Sequence, residues 1–249
     1  MGRVRGVDLL RAFGRSLWLQ AAWSFRGMQA VGFAYAVDPV LARLYGEGDD
    51  RQRARSRHLE LFNTHPFLAS AILGCVIRLE ERGEPGADEA VRRVKAALMG
   101  PCGAVGDSLY WSGLKPLLLL AALHAAYLGH GWAPWAFVGS FLGMNVAGRV
   151  LGFWQGYRKG VAVIDTVGRL DLLAWSRRGK ALGAVLLGSL LTLAAAPTAL
   201  DRWEVPAALW VPGAWAVALG LSWVVDRGVR PEWLVYLAAL VSGVVVTCT

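Results

Sequence analysis

The chain has 249 residues, of which 55% are hydrophobic and 18% charged, and its mean hydropathy is +0.42. Soluble domains carry about 25% charged residues, so this composition argues against water as the main solvent. The net charge of +8 lies between apolar runs rather than on one soluble face. That distribution argues against nucleic-acid binding and fits basic cytoplasmic loops between membrane helices.

Near the N-terminus, Leu10, Phe13 and Leu17 stand at helical spacing within 7–28, with Arg11 and Arg15 offset from them. The pattern predicts a basic amphipathic helix, either on the cytoplasmic membrane surface or against a partner subunit. Arg3, Arg5, Arg11 and Arg15 precede no continuous apolar core or cleavage site, so no signal peptide is read here. Residues 49–62 read as a charged, solvent-facing helix. Residues 80–95 run from acidic to basic, with a turn at Gly83, Pro85 and Gly86 and with Asp88 as an expected cap for the next helix.

Two apolar segments are interrupted. In FNTHPF, 62–67, Pro66 disfavours a helical His65, while Asn63 and Thr64 can bond freed backbone groups. In MGPCGAVGDS, 99–108, three glycines, Pro101 and the single acid Asp107 precede a further apolar run. Irregular backbone at membrane depth is costly unless it is buried or lines a wet cavity. Paired Gly/Pro interruptions point to a transporter's binding site, and an intramembrane carboxylate is a functional hypothesis. Carboxylate and amide groups beside an aromatic such as Trp111 suit a sugar. Both segments read equally well as plain connectors at the membrane surface.

Apolar runs at 114–128 and 132–148 predict membrane helices joined at Gly129, His130 and Gly131. The basic stretch 149–180 reads as a cytoplasmic connection. Uncharged runs at 181–199 and 207–225, and a shorter one at 233–248, predict three C-terminal spans. Basic and non-basic loops alternate, which places 149–180 and 226–231 inside and the C-terminus outside. Trp203, Trp210, Trp215, Trp223 and Trp233 suit interfacial anchors. The fold class is therefore all-α and polytopic. It divides into an N-terminal part (1–48), a core with the two broken segments (49–148), the basic connection (149–180) and the C-terminal helices (181–249).

Other chemistry is not indicated. Cys75, Cys102 and Cys248 form no CxxC, and neither His58/His65 nor His124/His130 is a helical metal pair. GxSxG, Walker A, GxGxxG and HExxH are all absent. No catalytic residue, cofactor or metal is expected.

WSFRGMQAVGF (23–33), HLELFNTHPF (58–67) and MGPCGAVGDSLYW (99–111) resemble the IID component of the mannose/fructose/sorbose family of phosphotransferase systems. GYRKGVAVI (156–164) and RPEWLVYLAALVSG (230–243) extend the likeness along the chain. The resemblance implies a non-catalytic subunit of the bacterial inner membrane, with its N-terminus inside and C-terminus outside. It would pair with a IIC subunit of inverted topology, with the pairs grouped into a trimer. A hexose or related sugar would pass through and be phosphorylated by IIB, which IIA supplies. Met28, Gln29, His58, Glu60, Phe62, Asn63, Thr64, Pro66, Gly106 and Asp107 match the family pattern. Asn63, Thr64 and Asp107 are the expected sugar-path residues, with His65, Gln20 and Gln29 beside them.

Three departures stand out. Arg26 occupies a position commonly acidic, His65 replaces a usual Gln, and Ser108 a usual Pro. The region near 196–212 is also shorter than in many members. Reversal of charge at Arg26 motivates an alternative: a regulatory or docking membrane subunit that no longer transports. An unrelated polytopic scaffold is the third reading.

Overall fold

A computed structural model describes residues 2–163 and 171–203, together with positions 220 and 227. The chain divides into two units, Met1–Gly183 and Ala184–Thr249. Among the described residues the structure is helical, and its only β pairing is two isolated bridges.

In α1 (Gly6–Ser16), the Asp8 carboxylate accepts the Arg5 N–H at 3.1 Å, placing negative charge at the positive end of the helix. Its buried residues Asp8, Leu9, Ala12 and Ser16 face α2 (Ala30–Tyr45), while Leu10 and Leu17 stay exposed beside Arg11. The helix stops at Ser16 instead of continuing to 28. The chain must cross the start of α2 there, and a Cβ on Gly32 would sit 2.0 Å from the Leu19 carbonyl oxygen. Only glycine permits that crossing.

Gly46 and Gly48, both at positive φ, turn the chain into α3 (Asp49–His58). Asp49 and Asp50 begin α3 and Arg55, Arg57 and His58 end it, which complements the helix dipole. α3 was expected to face solvent throughout, but Arg57 and His58 are buried. They turn inward to a carboxylate on α4 (Ala69–Arg82).

α4 is buried along nearly its whole apolar stretch and packs against α2, α5 and α7. At 1.5 Å per residue it is about 21 Å long, short of the roughly 30 Å hydrocarbon core. Left-handed Gly83 ends it. α5 (Ala87–Gly106) starts from Gly86, not from an Asp88 cap. Asp88 lies in the first turn and bridges to Arg57 Nη1 at 2.9 Å.

The expected interruption at 99–108 does not leave the helix. α5 runs through Pro101 to Gly106, continues as a π-helical stretch Asp107–Leu114, and proceeds into α6 (Lys115–Tyr127). Membrane helices tolerate such residues when neighbours satisfy the freed backbone groups. Here Ser176 Oγ donates to the Ser108 carbonyl at 2.7 Å.

Gly129 (φ 87°) helps turn the chain into α7 (Ala133–Lys159). On α7, Gly148, Gly152 and Gly156 recur every four residues and form one face. A Cβ at Gly156 would lie 2.1 Å from the Ala71 carbonyl, and one on Gly74 of α4 would lie 2.2 Å from the Phe153 carbonyl. The backbones of α4 and α7 thus meet through small residues, as at close membrane-helix crossings. The opposite face exposes Val138, Leu142, Val146, Val150 and Trp154.

A 3₁₀ turn, Gly160–Ala162, follows α7, and α8 spans Leu172–Trp203. The expected basic connection 149–180 is therefore largely helical. Arg149, Arg158 and Lys159 belong to α7, and Arg177, Arg178 and Lys180 to α8. Helix α8 also contains the run 181–199 and ends on Trp203. The spans expected at 207–225 and 233–248, with Trp210, Trp215, Trp223 and Trp233, lie outside the described residues.

Among the described residues, two continuous helices are long and apolar enough to cross a membrane: Ala87–Tyr127 (41 residues) and Ala133–Ala162 (30 residues). Only 17% and 6% of their most apolar stretches are buried within the chain. Core helices of a soluble protein bury such stretches, so these faces need lipid or a partner helix.

Candidate functional site

The broken segment 62–67 is held by a short backbone pairing. Met28, at φ 53°, turns the chain so that the Gln29 N–H donates to the Phe62 carbonyl at 2.8 Å. The Phe62 N–H donates to the Gly27 carbonyl at 3.3 Å. The Gln29 side chain then completes the pairing. Its Nε2 donates to the Thr64 carbonyl at 2.9 Å, and the Thr64 N–H donates to its Oε1 at 3.1 Å. These bonds satisfy backbone groups that a helix would otherwise satisfy. Phe62 is fully buried against Phe33, with ring centroids 4.3 Å apart.

Beyond Phe62 the chain touches the surface only at Asn63 before it turns inward. Asn63 is exposed, with its backbone N–H directed at Met99 Sδ (3.4 Å). Thr64 and His65 are buried. The His65 ring stacks on Tyr110 at 5.1 Å and 12° and meets the edge of Phe67 at 4.9 Å and 89°. It leaves no room opposite Gly106, where a Cβ would fall 2.3 Å from His65 Cβ. Trp111 and Phe141 extend the aromatic cluster, and Trp111 remains part exposed.

Asp107 is exposed at the first position of the π-helical stretch. Such bulges inside helices occur frequently at functional sites. The two segments singled out from the sequence thus meet: 62–67 packs its His65 against the turn carrying Gly106, Tyr110 and Trp111. Thr64 Oγ1 and His65 Nε2 are both buried without a hydrogen-bond partner among the described residues. Gln29 serves this cluster through its clamp on Thr64. Gln20 is exposed in the turn after α1 and makes none of these contacts.

Sequence reasoning overlooked three parts of this region. Tyr110 is the partner stacked on His65. Arg149, deep in an apolar helix, places its guanidinium 5.1 Å from the Phe67 ring centroid and donates from Nε to Asn145 Oδ1 at 2.9 Å. In the sequence, Arg149 follows the apolar run 132–148 directly and was counted with the basic stretch 149–180, which hid its place in the helix; the four-residue glycine repeat was a legible signal.

The third part is a buried polar anchor under α3. Glu80 is fully buried and accepts from Arg57 Nε at 2.9 Å, His58 Nε2 at 2.8 Å and the Tyr45 hydroxyl at 2.7 Å. Burial alone would raise the Glu80 pKa, but the hydrogen bonds from His58 and Arg57 outweigh it and hold the group down at about 2. Burial lowers the His58 pKa despite the attraction of Glu80. A neutral His58 donating from Nε2 leaves Nδ1 as a bare acceptor, which agrees with the absence of a donor to it among the described residues. Lys95 Nζ donates to the Arg57 carbonyl at 2.9 Å and ties α5 to the same anchor.

The two exposed apolar helices, one of them bulged beside an irregular segment, have the length and composition of membrane-spanning helices, the pattern of an integral helical membrane protein. Residues 3–198 match the model of the PTS system mannose/fructose/sorbose family IID component, and the chain belongs to that family. It is 36% identical over 188 residues to the mannose-specific EIID component of Escherichia coli K12, covering 74% of this chain and 66% of that protein. Against the fructose permease IID component of Bacillus subtilis 168 it is 30% identical over 193 residues, covering 76% and 70% of the two chains. The chain spans about two thirds of the length of these curated relatives. A cryo-EM structure of the mannose transporter ManYZ in complex with microcin E492 contains a similar chain at 27% identity and a TM-score of 0.62, with 100% of this chain and 98% of that one covered. A second solved chain, from a structure described only as that of a membrane protein, matches at 27% identity and a TM-score of 0.74, with 98% and 97% covered.

Proposed function

We propose that this chain is the IID subunit of a sugar-importing phosphotransferase complex in a bacterial inner membrane. It pairs with a IIC subunit to form the translocation path for a hexose or related sugar. Soluble IIA and IIB domains pass a phosphoryl group to the sugar as it emerges, so this chain carries no catalytic group. The pairs group into a trimer, with the N-terminus of this chain cytoplasmic and its C-terminus outside.

The observation that carries the reading is the meeting of the non-helical 62–67 segment with the π-helical turn at Asp107. Exposed Asn63 and Asp107 flank buried Thr64 and His65, with Trp111 part exposed beside them. Amide, carboxylate, hydroxyl and aromatic groups are the set that binds a polyhydroxylated ring. The large unburied apolar faces of α6 and α7 support a subunit that is completed by lipid and a partner.

Co-expression with cognate IIC, IIA and IIB chains tests the proposal. Sugar-dependent uptake with phosphorylation is expected. An assembled complex that takes up none of a panel of hexoses and amino sugars would instead establish the docking or regulatory role. Arg26 favours that second reading: it stands exposed in the 24–28 turn, beside a fully exposed Phe25.

A further inference from the structure

Helices α1 and α7 touch at one end and part at the other. The Phe13 and Phe153 rings meet at 5.5 Å, and Arg149 Nη1 reaches the Ser16 carbonyl at 3.5 Å. This pairing is antiparallel, so the Gly6 end of α1 lies toward Trp154 and Arg158. Between the helices runs a groove of about 520 Å³, with Leu9, Leu10 and Phe13 on one wall and Val150, Phe153 and Trp154 on the other. Gly6 lines it too, and a Cβ there would meet nothing within 4 Å. Leu10 is 72% exposed and Trp154 45%.

An occupant of this groove must be apolar along its length, because no lining side chain is charged and only the Trp154 indole carries a polar atom. It must also be narrow. A helix about 10 Å across would fill such a volume in little more than one turn. An extended hydrocarbon chain meets both conditions. Such chains surround α7, one of the helices long and apolar enough to cross a membrane.

Charge at the mouth narrows the choice further. Arg158 is exposed in the last turn of α7, with its guanidinium carbon 5.0 Å from the Trp154 ring centroid, and it has no carboxylate partner among the described residues. On the other wall Arg5 adjoins Gly6. Its side chain is 58% exposed, and its Nε lies 3.6 Å from the buried Asp8 carboxylate, which also accepts the Arg5 backbone N–H. Tryptophan and arginine at a helix end sit at the depth of lipid headgroups.

We propose that the α1–α7 groove binds one acyl chain of an anionic phospholipid, with Arg158 on its phosphate. The site depends on α7 crossing the membrane and is independent of the sugar path. A zwitterionic lipid offers the same chain and phosphate but brings an amine toward the two cations, so an anionic headgroup is preferred.

The test places the chain, in its native complex, in nanodiscs of phosphatidylglycerol and phosphatidylcholine in equal parts. Lipids still bound after release into detergent are counted by native mass spectrometry. The wild type should retain phosphatidylglycerol over phosphatidylcholine. Gly6→Phe fills the groove and should retain one lipid fewer per copy; Leu10→Glu, at an exposed position, should give the same loss by setting a charge against the chain. Arg158→Gln should lose about fivefold of the preference for the anionic lipid, and Arg158→Lys should keep most of it. Equal retention of the two lipids by the wild type overturns the proposal. So does an unchanged lipid count in an assembled Gly6→Phe or Leu10→Glu complex. A photo-crosslinker at position 10 should capture lipid; capture of a neighbouring subunit instead would show a protein contact in the groove and overturn it.

Discussion

Gln29 and Thr64, 35 positions apart, are joined by two hydrogen bonds in opposite directions: amide nitrogen to carbonyl at 2.9 Å and backbone N–H to amide oxygen at 3.1 Å. A side chain thus does the work of a paired strand. It fixes the non-helical segment that carries Asn63 and His65. Gln29→Ala leaves both Thr64 backbone groups unmatched, at about 1–3 kcal/mol each. The purified complex should lose thermal stability, and a glutamate in place of Gln29 should not rescue it, because Glu has no amide donor for the carbonyl. A melting temperature unchanged by Gln29→Ala would show that the clamp is dispensable.

Two glycines in one helix give a paired comparison. A Cβ at Gly106 meets His65 at 2.3 Å, whereas one at Gly100 meets nothing within 4 Å. Gly106→Ala should displace His65 and sharply reduce sugar uptake. Gly100→Ala should be neutral or stabilise by up to about 1 kcal/mol, since alanine is the better helix former. Equal uptake by the two variants would break the link between Gly106 and the site.

Asp107 and Asn63 are exposed, so their substitution should leave folding intact. Asp107→Asn removes a charge and Asn63→Ala an amide. Each is expected to lower uptake with normal assembly on the IIC partner, as read by co-purification. Full uptake in both variants would take these residues out of the sugar path.

The Glu80 anchor gives a pH dependence with two parts. Glu80 is held at about 2 against an unperturbed 4.5. Its contribution is complete above about pH 4.5 and is lost as pH falls toward 2. His58 is lowered from 6.5, so the unfolded chain takes up a proton that the folded one refuses. Stability therefore falls as pH drops below about 6.5. Denaturation followed from pH 8 to 5 should show this slope, and His58→Gln should flatten it. Glu80→Ala breaks a buried ion pair and should cost about 3–5 kcal/mol at any pH above 5.

Much of the site was legible because local chemistry marks it. Pro66 after His65 excludes helix, and the chain is non-helical there. The Gly-Pro run 99–108 misled for a related reason. Proline breaks a helix in water, but here the chain stays helical through Pro101, and the departure from α geometry comes only after it, in the π-helical stretch Asp107–Leu114. The anchor Glu80–His58–Arg57 was hidden because α3, read alone, is charged on all sides. Only its contact with α4 shows which charges turn inward.

Composition, apolar runs and motifs by themselves determined the solvent and the family, because these depend on summed hydrophobicity and on strings of neighbouring residues. They also determined which segments are unusual. The tertiary structure alone decided which polar groups are spent and which remain open. Gln29 is committed to Thr64 and His58 to Glu80, while His65 Nε2 and Thr64 Oγ1 stay unmatched among the described residues. Hydrogen bonds between residues 20 to 40 positions apart carry no local signature. They also need close approaches between distant segments, and some of these rest on single glycines: Gly32 against the Leu19 carbonyl and Gly156 against the Ala71 carbonyl.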